Sequence, residues 1–286
     1  MPILAIVLLI TGALLHTAWN LILKQSKDKY IATWWMLVTG GVLALIALLF
    51  TGLPPREMWK FAFFSVATEA IYFIALSYAY HDNEFSLIYP VARGSAPAFL
   101  ALWSFIFLHE QLTSGGMLGL ALIIAGLLII GVSTLMQSHV SRLHFKGLAV
   151  ALFIALLISI YTTIDGAAVR QGTAYALPYV MTMFAVVPLP ITPFIVRQYG
   201  WLRLKDEWNR LGLLLSIMGV LGVLSYLLAV VAFSIAPLSY SGAVREVSVV
   251  FGAFAGWWLL KERMGAMRVL GAIVIFAGIL IIAIFG

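Results

Sequence analysis

The chain contains no cysteine, which excludes disulfides, thiolate metal sites and cysteine nucleophiles. Charge is scarce: Asp, Glu, Lys and Arg make up 10% of the residues, against about 25% in soluble domains. No Walker motif is present, so ATP is not the energy source. The histidines are scattered, and their spacing builds neither a metal site nor a Ser-His-Asp arrangement. The sequence therefore predicts no enzyme, no metal and no cofactor. Long polar stretches are missing too, which leaves little chain for a soluble domain.

What fills the sequence is apolar. Hydrophobic residues make up 63% of it, and the mean hydropathy is +1.08. Ten apolar runs cover roughly residues 3–23, 31–52, 61–80, 85–108, 114–136, 147–169, 174–196, 211–235, 238–260 and 265–285. About 20 such residues cross the roughly 30 Å of hydrocarbon as a helix. The expected fold is an all-α integral membrane protein of ten transmembrane helices, with the lipid bilayer as its surroundings. The first run lacks a basic leader and a small-residue cleavage site and carries His16, Trp19 and Asn20, so it reads as a retained span. The net charge of +6 resides at helix ends, where orientation signals and lipid headgroups account for it. Nucleic acid is therefore not a partner. One connection is long, RQYGWLRLKDEWNR before the eighth span, and its Trp201, Leu202, Leu204, Trp208 and Leu211 predict an amphipathic helix lying in the interface.

Shifting the chain by 152 residues aligns 93–130 with 245–282 without a gap, with 13 of 38 positions identical. Arg93 meets Arg245, Glu110 meets Glu262, Gly119 meets Gly271 and Gly126 meets Gly278. The pattern predicts a duplication, with a first repeat at 1–137, a connecting loop at 138–146 and a second repeat at 147–286. Each repeat holds five spans, and an odd number inverts the second copy. Inverted repeats are the plan of secondary transporters, with the substrate near the midplane where the halves meet.

A Glu shortly after each fourth span (LHEQL, LKERM) and a glycine-bracketed fifth span (GLALIIAG, GAIVIFAG) resemble the EamA type of the drug/metabolite transporter superfamily over the whole chain. HTAWNLILK, YPVARG, YTTIDGAAVR and VREVS are similar to a subgroup of bacterial permeases, some of them like phosphonate-associated proteins. The resemblance implies a bacterial inner-membrane carrier with both termini in the cytoplasm. The cations point the other way: twelve lie on the face of the first connection, against Arg56, Lys60 and Arg170 on the face of the termini, which places the termini outside. Orientation stays open between the two, as does the choice of monomer or homodimer.

The candidate site starts from two arginines. An Arg at mid-span costs about 2.5–3.5 kcal/mol on insertion scales, so it faces a cavity or a partner. Arg93 and Arg245 lie too deep in spans four and nine to snorkel, and inversion lets them face one another across one cavity; the alternative is that each ties its helix to a neighbouring carboxylate or carbonyl. Pro90 and Pro97 remove helical donors and predict a bend in span four, with Tyr89 and Arg93 on the lining face. In span nine Ser248 shares the face of Arg245. Among the acids, Glu246 follows Arg245 and is a charge partner. Glu69, with Tyr72 beside it, is either a proton carrier or, the favoured reading, the counter-ion of Arg93. Asp165 lies toward the end of span six, one turn after Tyr161, nearer the interface. His16 and Asn20 form a polar stripe with Trp19 alongside, as ligands, as a proton relay at His16, or as helix-to-helix hydrogen bonds. Proton coupling is assigned to Glu69, Asp165 or His16.

Two facing guanidiniums suit a carboxylate, phosphonate or phosphate, and Glu69 and Asp165 answer an amine. The expected function is secondary transport of a small zwitterionic or anionic metabolite, amino acid or aminophosphonate-like, by alternating access. A lipid flippase that recognises a phosphate headgroup and a non-transporting receptor or scaffold are the rivals.

Overall fold

The computed structural model describes residues 1–81, 85–137, 145–260 and 265–286; within them, side chains are described except at 77–81, 85–90, 133–137, 145, 146, 148, 256, 259 and 260. The described residues form twelve α-helices and one short 3-10 turn. Five single helices make the first half: α1 (Ile3–Leu23), α2 (Lys29–Thr51), α3 (Arg56–His81), α4 (Phe85–Leu108) and α5 (Ser114–Gln137). The second half comprises α6 (Phe145–Val169), the pair α7 (Ala176–Val186) and α8 (Pro188–Tyr199), α9 (Trp201–Ile235), the pair α10 (Leu238–Arg245) and α11 (Ser248–Leu260), and α12 (Ala266–Phe285). Nine of the described helical stretches are long and apolar enough to cross a membrane. The tenth crossing is divided between α10 and α11. The molecule is a multi-pass, all-α integral membrane protein.

Local chemistry explains the element ends. Asp28 caps α2, accepting from the backbone N–H of Tyr30 at 3.1 Å and Ile31 at 3.2 Å, groups that no helical carbonyl reaches. Pro188 opens α8, and its missing N–H leaves the Phe184 carbonyl without a helical donor, which divides span seven. Span four runs as one helix through Pro90 and Pro97, α4, and span nine is interrupted at Glu246 and Val247. One sequence expectation is corrected. The stretch from Trp201 does not lie in the interface: it is the start of α9, one helix of 35 residues. At 1.5 Å per residue α9 is about 52 Å long, so its first turns stand clear of the hydrocarbon. They are held there by the connection after α1. Arg203 pairs with Asp28 at 3.0 Å, and Ser26 donates to Glu207 at 2.6 Å. The Trp35 and Trp208 rings pack 4.6 Å apart.

The halves pack reciprocally. α1 lies on α9 as α6 lies on α3, and α2 meets α7. The pairing of α5 with α12 shows the relation most directly. A Cβ on Gly119 would sit 2.7 Å from the Gly278 carbonyl oxygen, and one on Gly126 would sit 2.7 Å from that of Gly271. Since 119 corresponds to 271 and 126 to 278, the second contact is the first seen from the other half. Backbones approach this closely only where side chains are absent.

Chain direction defines two faces. The terminal face carries the start of α1, the end of α12 and the connections at 52–55, 109–113, 170–175 and 236–237. The opposite face carries the connection at 24–28 and the end of α8.

Candidate functional site

A cavity of about 190 Å³ lies between the halves, several times the roughly 30 Å³ share of one water. Its polar lining comprises His16, Asn20, Thr33, Glu69, Arg93, Ser225 and Arg245, with Trp19, Tyr72, Tyr161 and Tyr226 as aromatic walls. Helices α1, α2, α3, α4, α6, α7, α9 and α10 contribute, so both halves build it. From α1, α2 and α3 the lining residues come from the parts nearest the opposite face, ending at Leu23, Thr33 and Leu76.

The two arginines occupy different environments. Arg93 is engaged: its Nε lies 3.1 Å from Glu246 Oε2, and one terminal nitrogen meets His16 Nε2 at 3.2 Å and donates to Ser248 Oγ at 3.3 Å. A guanidinium has donors only, so His16 Nε2 accepts and the ring proton sits on Nδ1. Glu246 stands at the interruption of span nine and is 2% exposed, so this charge joins α4 to the second half. The counter-ion of Arg93 is thus Glu246, where Glu69 was expected. Arg245, at the end of α10, has no carboxylate partner among the described residues; its guanidinium lies 5.9 Å from the Phe233 ring, at cation–π range.

The carboxylates differ in the same way. Glu69 lines the cavity and has no hydrogen bond or ion pair among the described residues. Asp165, one turn before the end of α6, is fully buried, off the cavity wall, with Tyr179 donating to it at 2.7 Å and Tyr226 donating to its other oxygen.

Of the remaining expected residues, Asn20 donates to the His16 carbonyl at 2.8 Å, and Trp19 meets the His16 ring edge-on at 4.8 Å. The Tyr72 and Tyr161 rings lie 6.1 Å apart across α3 and α6. Ser248 is buried behind Arg93, and its carbonyl accepts from Thr17 at 3.2 Å. Tyr89 lies outside the residues whose side chains are described. Tyr226 and Tyr179 were not anticipated. The signal for the first was present, since Gly222, Ser225 and Tyr226 share one helical face of span eight.

The model of the EamA-like transporter family matches residues 3–132 and again 145–284. The chain belongs to this family. Among curated relatives, the pseudopaline exporter CntI of Pseudomonas aeruginosa is 26% identical over 182 residues, and the match spans 63% of this chain and 60% of the exporter's length. The exporter of a second strain matches equally. A solved structure described only as the crystal structure of a protein superposes with a TM-score of 0.75 over 98% of this chain and 96% of its own, at 15% identity. That likeness concerns the fold alone. The molecule is a multi-pass membrane protein of the EamA-like transporter family.

Proposed function

We propose that this chain is a secondary transporter of the bacterial inner membrane that moves a small zwitterionic or anionic metabolite, such as an amino acid or an aminophosphonate, by alternating access of two inverted repeats at 1–137 and 147–286. One observation carries the reading: a single cavity between the halves presents a guanidinium, Arg245, and a carboxyl group, Glu69, neither of which has a charged partner within the described protein. Charges at such depth are costly unless answered. A solute with an anionic and an ammonium group answers both.

In this reading Arg245 grips the anion, Glu69 the amine, and Tyr72, Tyr161 and Trp19 enclose the carbon skeleton. Arg93 holds the arrangement together through Glu246, His16 and Ser248. Asp165, tied to the cavity by Tyr226, and Glu69 supply carboxyls for proton coupling. A relative named as an exporter supports transport as the activity.

Counterflow in proteoliposomes tests this with a panel of amino acids, phosphonates, choline-like cations and labelled lipids. Uptake is expected for at least one amino acid or aminophosphonate, lost in Arg245→Ala. Counterflow of choline-like cations alone, or movement of lipid alone, would overturn the reading.

A further inference from the structure

Glu110, the residue that marks the end of the fourth span in the repeat, takes no part in the cavity. It sits on the terminal face, in the α4–α5 connection, and is buried. Its carboxylate accepts from the backbone N–H of Leu238 at 2.6 Å and of Ser239 at 3.1 Å, and from the Ser239 hydroxyl at 2.7 Å. Arg170, at the end of α6, completes the set as an ion pair. Glu110 therefore caps α10, the half-helix whose other end carries Arg245. His109 just before it adopts a left-handed φ of 51°, a strained conformation that persists only where surroundings impose it.

The same turn of α10 is fixed from two further sides. The Tyr240 hydroxyl accepts from the Thr113 N–H at 3.1 Å, and Leu238 lies where a Cβ on Gly166 would be, 3.2 Å from its Cγ. All these contacts join the first repeat's connection, or α6, to α10. Between this cluster and the cavity, Ser241 of α10 and Thr162 of α6 bury hydroxyls that make no hydrogen bond among the described residues. Buried polar groups are normally satisfied. Hydroxyls without a protein partner suit a surface that water reaches in another conformation.

We propose that Glu110, with Arg170 as its counter-charge, is the latch that holds the terminal end of the pathway shut, and that its release lets α10 swing so that water reaches Ser241 and Thr162. The latch and Arg245 occupy opposite ends of an eight-residue helix, about 12 Å long, so charge bound at the cavity and closure at the terminal face act on one rigid element. The proposal rests on the alternating-access reading and is independent of which solute is carried.

The natural absence of cysteine makes the test direct. Ser241→Cys reports the terminal side and Leu23→Cys the open side of the cavity, each labelled by a water-soluble maleimide in purified, substrate-free protein. Glu110→Gln keeps the shape and removes the charge, and Arg170→Gln serves as a second release. In either background Ser241→Cys is expected to react at least tenfold faster, while Leu23→Cys slows as the population moves to the other conformation. Unchanged rates at both positions would overturn the proposal. Faster reaction at both would also overturn it, because that marks loss of packing.

Discussion

Two arginines at matching positions of a repeat have divided their labour. Arg93 shares its charge with Glu246, which is 2% exposed, and breaking such a pair from one side leaves a buried charge unanswered, at a cost of about 3–5 kcal/mol. Arg93→Ala is therefore expected to lower the thermal denaturation midpoint sharply, and Arg93→Met combined with Glu246→Met to recover most of it. Equal loss in the single and the double variant would show that the pair is not the cause. Arg245 and Glu69 have no such internal partner, and their substitution should act on binding. A charge-assisted hydrogen bond contributes about 1.5–3 kcal/mol, so Glu69→Gln is expected to weaken a zwitterionic solute by about tenfold to a hundredfold. The same solute without its amine should be almost unaffected. Competition assays on both solutes, with unfolding monitored alongside, separate this from a stability effect.

At the level of helices, what could be read from the sequence depended on whether the cause was local. The ten runs were legible because the length that spans a bilayer is a property of consecutive residues. The interruption of span nine was not, since Glu246 and Val247 are neither proline nor glycine, and the helix yields there where Glu246 turns to an arginine 153 positions earlier in the chain. Pro90 and Pro97 pointed to a bend in span four, and α4 runs through both as one helix. The stretch after Trp201 is helical in either arrangement, and only its docking on Asp28 and Ser26 decides that it stands rather than lies. Within the site, His16, Asn20, Glu69 and the arginines announced themselves as polar residues in apolar runs. The exchange of partners between Glu69 and Glu246 depends on the meeting of α4 with the break in span nine, and spacing carries no trace of it. The glycine pairs of α5 and α12 were visible as a repeated motif but not as partners of one another. Their contact predicts that Gly126→Ala and Gly278→Ala each cost about 1–3 kcal/mol by overpacking, since the new methyl would meet backbone oxygen at 2.7 Å and 2.6 Å. Gly252→Ala, with nothing within 4 Å, should leave stability unchanged or slightly raised. Thermal denaturation of the three variants in detergent checks the contrast.

For the molecule as a whole, α1 packs on α9 as α6 packs on α3, so the two ends share one set of helices drawn from both halves. The cavity reaches toward the opposite face at Leu23, Thr33 and Leu76, while the terminal face is tied by Glu110 to α10. A carrier works only if both arrangements are visited, whereas a binding protein needs one. Thr113→Cys and Ser239→Cys place thiols on the two sides of the terminal closure, in a chain with no others. Joining them with a short, reducible bifunctional thiol reagent is expected to abolish counterflow, with recovery on reduction. Equilibrium binding of the solute should survive the cross-link, because the cavity stays reachable from the other side. Transport that continues through the cross-linked protein would mean that the solute crosses without opening the terminal face, and alternating access of the two halves would then be the wrong description of this molecule.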